Sequence, residues 1–266
     1  MMNPTSIEWC DYTWNPFTGC TPVSPGCNNC YAKRLLSDWF GPRSFVPTVH
    51  PERFDAPLRK RKPSIVFVCS MSDFFHEKFS TEVIFRLLGI MVQTPHFFLI
   101  LTKRARRMVE VMHSWLAQAK MMPSNIGLGV TVETAEQGIR LYYLASVHTC
   151  FFKFVSLEPL LGPLSLRNIA INNSTLALPS PPPPMNALSF LDWVIVGGET
   201  GYGARPMEAD WAYQILKECQ AMGIPFFFKQ MSQGKETPAD LNIREWPERL
   251  LPYVKPPRKP EQLKLL

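Results

Sequence analysis

"SIVFVCSM", residues 64–71, is apolar without a break from Ile65 to Cys69, and that continuity decides the fold. Runs of the same character recur at HFFLILTK (96–103), IGLGVTVE (126–133), FFKFVSLE (151–158), WVIVGGE (193–199) and IPFFFKQ (224–230). A strand with one wetted face alternates apolar and polar residues, whereas a strand covered on both faces is apolar throughout, as in parallel sheets. The six runs therefore predict a parallel sheet.

The segments between them carry helical spacing. In ARRMVEVMHSWLAQA (105–119), Met108, Val111, Met112, Trp115 and Leu116 recur at offsets of three and four, which is one face of a helix. TEVIFRLLGIMVQ (81–93) makes a stripe of Val83, Leu87 and Met91, and ADWAYQILKECQAM (209–222) one of Trp211, Ile215, Cys219 and Met222. Strand and helix thus alternate at intervals of roughly thirty residues, the size of a right-handed βα crossover. The connection between the runs at 151 and 193 is longer and contains LPSPPPP (178–184), too rich in proline for a helix. It reads as an exposed insertion, at about 172–190, in a single domain spanning 1–250, and residues 251–266 read as a Pro/Lys-rich tail.

Each run turns polar at its C-terminal edge. Ser70, Ser72 and Asp73 follow the first, Lys103 and Arg104 the second, Glu133 the third, Glu158 the fourth, Glu199 the fifth and Lys229 the sixth. Barrels of parallel strands assemble their sites at that edge. The expected architecture is α/β, a partial (βα) barrel of about six parallel strands with a short extra one near SIEW (6–9), in preference to an open doubly wound sheet.

No apolar run approaches the roughly 18 residues a membrane span needs, and the start, Met-Met-Asn-Pro-Thr, has no basic segment leading into an apolar one. A cytoplasmic protein without membrane attachment is expected, and in that setting the glycosylation acceptors at 172–175 mean nothing. The net charge is +6, with basic clusters at Arg59-Lys60-Arg61-Lys62 and at Lys103, Arg104, Arg106 and Arg107. Such clusters suit phosphate backbones, or a merely solvated face.

Seven cysteines in a chain of 266 residues do not form a secretory disulfide framework, and clustered thiols in a reducing compartment bind metal or do chemistry. Cys20, Cys27 and Cys30 fall within the turn-rich TGCTPVSPGCNNCYAKR (18–34). Three thiolates can hold a four-iron cluster while one iron stays open. Cys10, ten residues earlier, could instead complete a closed four-cysteine zinc centre. Cys69, Cys150 and Cys219 lie in apolar settings and read as small buried hydrophobes. Of the histidines, only His76, just behind SMSDFF, lies near the expected site.

These segments, IEWCDYTWNPFTGCTPVSPGCNNCYA, SMSDFFH, LTKR, GVTVE, SLEPLLGPL, WVIVGGETG, ARPM and PFFFKQ, together resemble the phage-associated three-Cys-motif family, over about residues 6 to 250. That family, of uncertain function, is similar to radical S-adenosylmethionine enzymes of the spore photoproduct lyase kind. The resemblance implies a [4Fe-4S] cluster on Cys20, Cys27 and Cys30, with S-adenosylmethionine on the open iron, cleaved reductively to a 5′-deoxyadenosyl radical. It implies a radical enzyme whose substrate is DNA, RNA or a nucleotide, together with an electron donor and room for a companion protein. Under it, Ser70, Ser72 and Asp73 lie near the methionine moiety. Glu133 and Glu158 take ribose hydroxyls or the amino group. Gly197 and Gly198, with Glu199 beside them, allow close backbone approach to the cofactor. Lys103, Arg104 and Lys229 meet an anionic group.

Two features depart from the radical-enzyme pattern of three and then two residues between cysteines. Six residues separate Cys20 from Cys27, and Asn29 stands where an aromatic is usual, with Tyr31 one place later to supply the stacking face. The intervening TPVSPG is turn-forming and can still wrap a cluster. The alternative to the enzyme is a noncatalytic nucleic-acid-binding protein stabilised by zinc or an inert cluster. A surface made only for phosphate would not gather Glu133, Glu158 and Glu199 at one mouth.

Overall fold

In the computed structural model, residues 1–41, 44–119, 123–170 and 183–254 are described. The expected proline-rich insertion therefore lies outside the described residues up to 182, as does the tail beyond 254.

Eight strands form one sheet in the order β1-β2-β5-β6-β7-β8-β9-β10. They are β1 (Met2–Pro4), β2 (Tyr12–Trp14), β5 (Ile65–Val68), β6 (Phe97–Thr102), β7 (Ile126–Thr131), β8 (Phe152–Leu157), β9 (Trp193–Val196) and β10 (Phe226–Phe228). A separate two-stranded sheet pairs β3 (Phe17–Thr18) with β4 (Thr48–Val49). Every neighbouring pair from β2 to β10 is parallel, and β1 runs antiparallel to β2. The six apolar runs are all strands. SIEW is not; the short strands flank it at 2–4 and 12–14, which raises the parallel count to seven. MNP in β1 and YTW in β2 form no continuous apolar run, unlike the equally short FFF of β10, so composition does not reveal them.

The neighbour order follows the chain with no reversal, and a doubly wound sheet has a point where the order reverses. The sheet does not close; β1 and β10 are its edges. Helices α2 (Thr81–Val92), α3 (Ala105–Gln118), α4 (Ile139–Ser146) and α5 (Ala209–Met222) all pack on one face, against Val66, Val68, Phe98, Ile100, Leu128, Val130, Val155, Val194 and Val196. The alternate strand residues, Ile65, Phe67, Phe97, Leu99, Phe152, Phe154, Trp193, Ile195 and Phe227, form a second core on the other face. That face is covered by Trp9, Cys10 and the segment bearing Trp246, Leu250 and Tyr253. On β7 its positions are Gly127 and Gly129, and a Cβ on Gly129 would lie 2.5 Å from the Phe154 ring. The glycines thus make room for the aromatic layer.

The predicted helix faces pack on the helix-side core, with Val83, Leu116 and Trp211 only partly buried, and Met222, the last residue of α5, is exposed. Among the described residues no helix is long and apolar enough to cross a membrane. Helix α1 (Tyr31–Phe40) starts at the third cysteine of the loop, with Cys30 as its N-cap residue.

Candidate functional site

A cavity of about 360 Å³ opens at the C-terminal ends of the parallel strands. Cys20, Cys27, Cys30, Tyr31, Ser70, Ser72, Asp73, Lys103, Arg104, Glu158, Gly198, Glu199 and Lys229 all line it. Of the fifteen residues singled out in the sequence, only Glu133 and Gly197 are absent from its walls. Strand β5 delivers its share by a sharp exit: Cys69 sits at φ +60°, a left-handed conformation costly for a residue with a Cβ. From there Ser70, Ser72 and Asp73 turn towards the cysteine loop.

Much of the polar chemistry at the strand ends is spent on holding that loop. Ser72 Oγ donates to Gly19 O at 2.6 Å, and Gly19 N to Met71 O at 2.9 Å. Ser24 Oγ donates to Glu133 Oε1 at 2.6 Å. Glu133 is fully buried, receives Arg140 Nη1 at 2.8 Å, and has Lys103 Nζ at 3.9 Å. Gly26 presses on the same carboxylate; a Cβ there would lie 2.3 Å from Glu133 Oε1, so glycine is required by the close approach. Glu199 receives Arg205 Nε and Nη2, the Arg205 backbone N–H, and Asn29 Nδ2 at 2.9 Å. Arg205 Nη2 also donates to Pro25 O. Burial works to raise the Glu199 pKa, but these donors outweigh it and hold the carboxyl at about 2.

Arg104 is the hub on the other side of the loop. Its guanidinium reaches Cys20 Sγ (3.3 Å), Asp73 Oδ2 (3.3 Å), both oxygens of Glu77, and Thr21 O and Oγ1. Asp73 also accepts from Thr102 Oγ1, the Lys103 N–H and the Phe75 N–H. Burial pushes the Cys20 thiol up to about 11, against the pull of the Arg104 charge. His76 is buried and accepts the Lys78 N–H at Nδ1, so Nε2 carries the proton and faces Thr21 Oγ1 at 2.9 Å. Burial and then Arg104 lower its pKa, keeping the ring neutral.

Glu158 and Lys229 have a different setting. They form a close pair at 2.6 Å on the cavity wall, about a fifth to a quarter exposed, with Gln230 Nε2 donating to the same carboxylate at 2.9 Å. Tyr31 donates its hydroxyl to Ser70 O, which fixes the ring beside the cysteines. At Gly198 the direction a Cβ would take is filled by the Ser232 backbone, at 2.3 Å. The protein's own packing therefore asks for glycine there.

The remaining cysteines separate from the three. Cys10 belongs to the core under the sheet and is not on the cavity wall. Cys69 and Cys219 are buried as expected; Cys150 is only partly so, because it sits in the bend before β8 rather than in the strand. The two basic clusters stand at opposite ends of the sheet, 59–62 before β5 and 103–107 after β6. The sequence assigns no site role to Ser24, Arg140, Arg205 or Trp9, and marks Asn29 only as a departure from an aromatic position; no local pattern singles them out as site residues.

Three free, partly exposed thiols on one cavity suit a cluster held by thiolates. Among the described residues no three His, Cys, Asp or Glu side chains crowd round a position for one metal ion. A cubane asks for less crowding, since each thiolate binds a different iron. A family described as "Protein of unknown function (DUF5131)" matches residues 4–250. No curated protein and no solved structure matches the chain.

Proposed function

The chain belongs to the DUF5131 family, whose function is unknown; we propose, from the cysteine loop and its resemblance, that it is a radical S-adenosylmethionine-type iron–sulfur enzyme, phage-associated and built on a partial (βα) barrel, acting on a nucleic acid or nucleotide. What supports this most is one observation: Cys20, Cys27 and Cys30 line a single cavity with Tyr31, Ser70 and the Glu158–Lys229 pair. In-sequence strand order with all four crossover helices on one face supports the barrel kinship.

In this reading Cys20, Cys27 and Cys30 hold a [4Fe-4S] cluster whose fourth iron takes S-adenosylmethionine. When bound, the cluster and S-adenosylmethionine together would supply one-electron reductive cleavage of the cofactor, with the electron coming from an external low-potential donor. The chain's own residues do the rest. Glu133 and Glu199 fix the loop through Ser24 and Asn29, so the thiols keep their spacing. Arg104 donates to Cys20 Sγ and offsets thiolate charge. Glu158 keeps lone pairs free for an amino group or hydroxyl, Lys229 faces an anionic group, and the apolar floor limits water.

The test is protein purified without oxygen. It should hold about four iron and four sulfide per chain, lose them in Cys20→Ala, Cys27→Ala or Cys30→Ala, and keep them in Cys10→Ala. Reduced with a low-potential donor, it should release 5′-deoxyadenosine from S-adenosylmethionine. Stoichiometric zinc in place of iron would sink the proposal.

A further inference from the structure

We infer that a second cavity, of about 710 Å³ and lined by α3 and α4, is a subsite for a phosphate group of the substrate, held by Lys103, Arg107 and Arg140. Lys103 and Arg104 stand on the walls of this cavity and of the cysteine cavity alike, so the two adjoin. The inference deepens the proposed function, resting on it for the chemistry next door but not for binding itself.

Arg104 has no donor left for a ligand: Nε goes to Glu77, Nη1 to Cys20 and Asp73, and Nη2 to Thr21. The other three cations are not used up. Lys103 Nζ makes no hydrogen bond, and the carboxylate oxygen beside it, Glu133 Oε1, is 3.9 Å away. Arg140, whose side chain is only 8% exposed, donates from Nη1 to Thr131 O and Glu133 Oε2 and leaves Nε and Nη2 unbonded. Arg107 donates from Nη2 to the Phe79 carbonyl, a neutral acceptor, and leaves Nε and Nη1 unbonded. None of these unbonded nitrogens is sealed from solvent. A buried arginine held at one nitrogen, with two more open on a cavity wall, asks for an acceptor there.

The charges say what kind of acceptor. Glu133 is the carboxylate at both Lys103 and Arg140, so three cations meet one anion and positive charge is left over. The carboxylates on the cavity wall itself are already matched, Glu77 by Arg104 and Glu110 by Arg106. Helix α3 opens on the cavity at Ala105 with no side chain capping its first turn, and its positive end adds to the field. A merely solvated basic face has no need to bury an arginine. A carboxylate ligand has two oxygens and engages one guanidinium fork. Donors from three elements, the end of β6, α3 and α4, suit a phosphate, with its further oxygens and charge, or two successive phosphates of a chain.

The phosphate can belong to a mononucleotide or to a polynucleotide backbone, and the probes separate the two. Metal-free wild type, Lys103→Gln, Arg107→Gln and a charge-matched control are titrated; the control is Lys217→Gln, exposed on α5 and on neither cavity wall. The probes are the 5′-monophosphates of adenosine, guanosine, cytidine and uridine, the same nucleosides without phosphate, short single-stranded DNA and RNA, and an oligoglutamate peptide. At least one phosphate-bearing probe should bind the wild type. Lys103→Gln and Arg107→Gln should each weaken it about tenfold, and Lys217→Gln should not. For the oligonucleotides, the slope of log affinity against log salt should shrink by about 0.7 for each cation lost. A monophosphate held more tightly than its nucleoside assigns the site to a mononucleotide, and binding of the oligonucleotides alone assigns it to a backbone.

No binding of any phosphate-bearing probe, unchanged affinity in both cavity variants, an equal loss in Lys217→Gln, or oligoglutamate bound as tightly overturns the inference. Lys103 Nζ makes no hydrogen bond within the protein, so Lys103→Gln decides should Arg107→Gln not fold. Failure of the cluster to assemble defeats the proposed chemistry without touching this result. An assembled cluster with no phosphate-dependent binding defeats this inference alone.

Discussion

Arg104 Nη1 stands 3.3 Å from Cys20 Sγ and 3.3 Å from Asp73 Oδ2. One guanidinium thus ties the first thiol of the loop to the carboxylate that caps the end of β6 through Thr102 and Lys103. Its charge is the counterweight to burial at Cys20, whose thiol lies at about 11. In metal-free protein the alkylation rate of Cys20, followed by peptide mass spectrometry, should keep rising with pH up to about 11. Arg104→Gln should move that midpoint higher still, because the favourable charge is gone while burial remains. It should also destabilise the fold by about 3–5 kcal/mol, since Asp73 is left buried without its ion partner. A midpoint that falls in Arg104→Gln would remove Arg104 from this role.

Glu199 sets a second expectation, in acid. Its folded pKa of about 2 lies below the ordinary 4.5, so the stability it lends is fully present above 4.5 and is lost as pH falls towards 2. The loss belongs to the attachment of Asn29 and Pro25, through Glu199 and Arg205. Urea denaturation across that window should therefore show a fall in stability that is smaller in Glu199→Gln. At neutral pH Glu199→Gln itself should cost about 1–3 kcal/mol. Parallel pH curves for the two proteins would show that the carboxylate contributes nothing there.

Six strands of the sheet are evident from composition because each is covered on both faces, by helices on one side and an aromatic layer on the other. Strands β1 and β2 have three residues each and no continuous apolar run, and α4 has only eight residues, below the length at which a period can be read. The site divides in the same way. Strand-end polarity brings thirteen of the fifteen singled-out residues to one cavity, but it does not say which ones meet a ligand. Glu133 and Glu199 look like Glu158 in the chain, yet their partners Ser24 and Asn29 lie 109 and 170 residues away. Those pairings exist only once the cysteine loop has closed over the sheet, and no local pattern announces them.

The same division separates two otherwise similar substitutions. Glu133→Gln leaves Arg140 Nη1, itself buried, without its carboxylate and should cost about 3–5 kcal/mol of stability in chemical denaturation. Glu158→Gln touches a partly exposed pair, so its stability cost should be smaller. Its effect should appear in calorimetry with S-adenosylmethionine on cluster-loaded protein, as a loss on the order of 1.5–3 kcal/mol in binding. The reverse pattern, with Glu133→Gln stable but blind to the cofactor, would mean that the Glu133 carboxylate turns to the ligand when one is present.

The basic cluster at 59–62 should be separable from catalysis, because it precedes β5 while the cysteine loop sits past the other end of that strand. Arg59, Arg61 and Lys62 are exposed, and Lys60 is partly covered with its Nζ 3.9 Å over the Tyr12 ring. Reversing the three exposed charges should flatten the salt dependence of nonspecific DNA or RNA binding, by up to about 0.9 in the logarithmic slope for each phosphate that these side chains neutralise. Lys60 stays in place, so its packing on Tyr12 and strand β2 should be undisturbed, and thermal unfolding checks that. Cleavage of S-adenosylmethionine by the cluster-loaded variant should match the wild type, since none of the three lines the cavity. An unchanged slope would make this cluster a solvated face, and would shift any phosphate binding to Lys103 and Arg106 at the opposite end of the sheet.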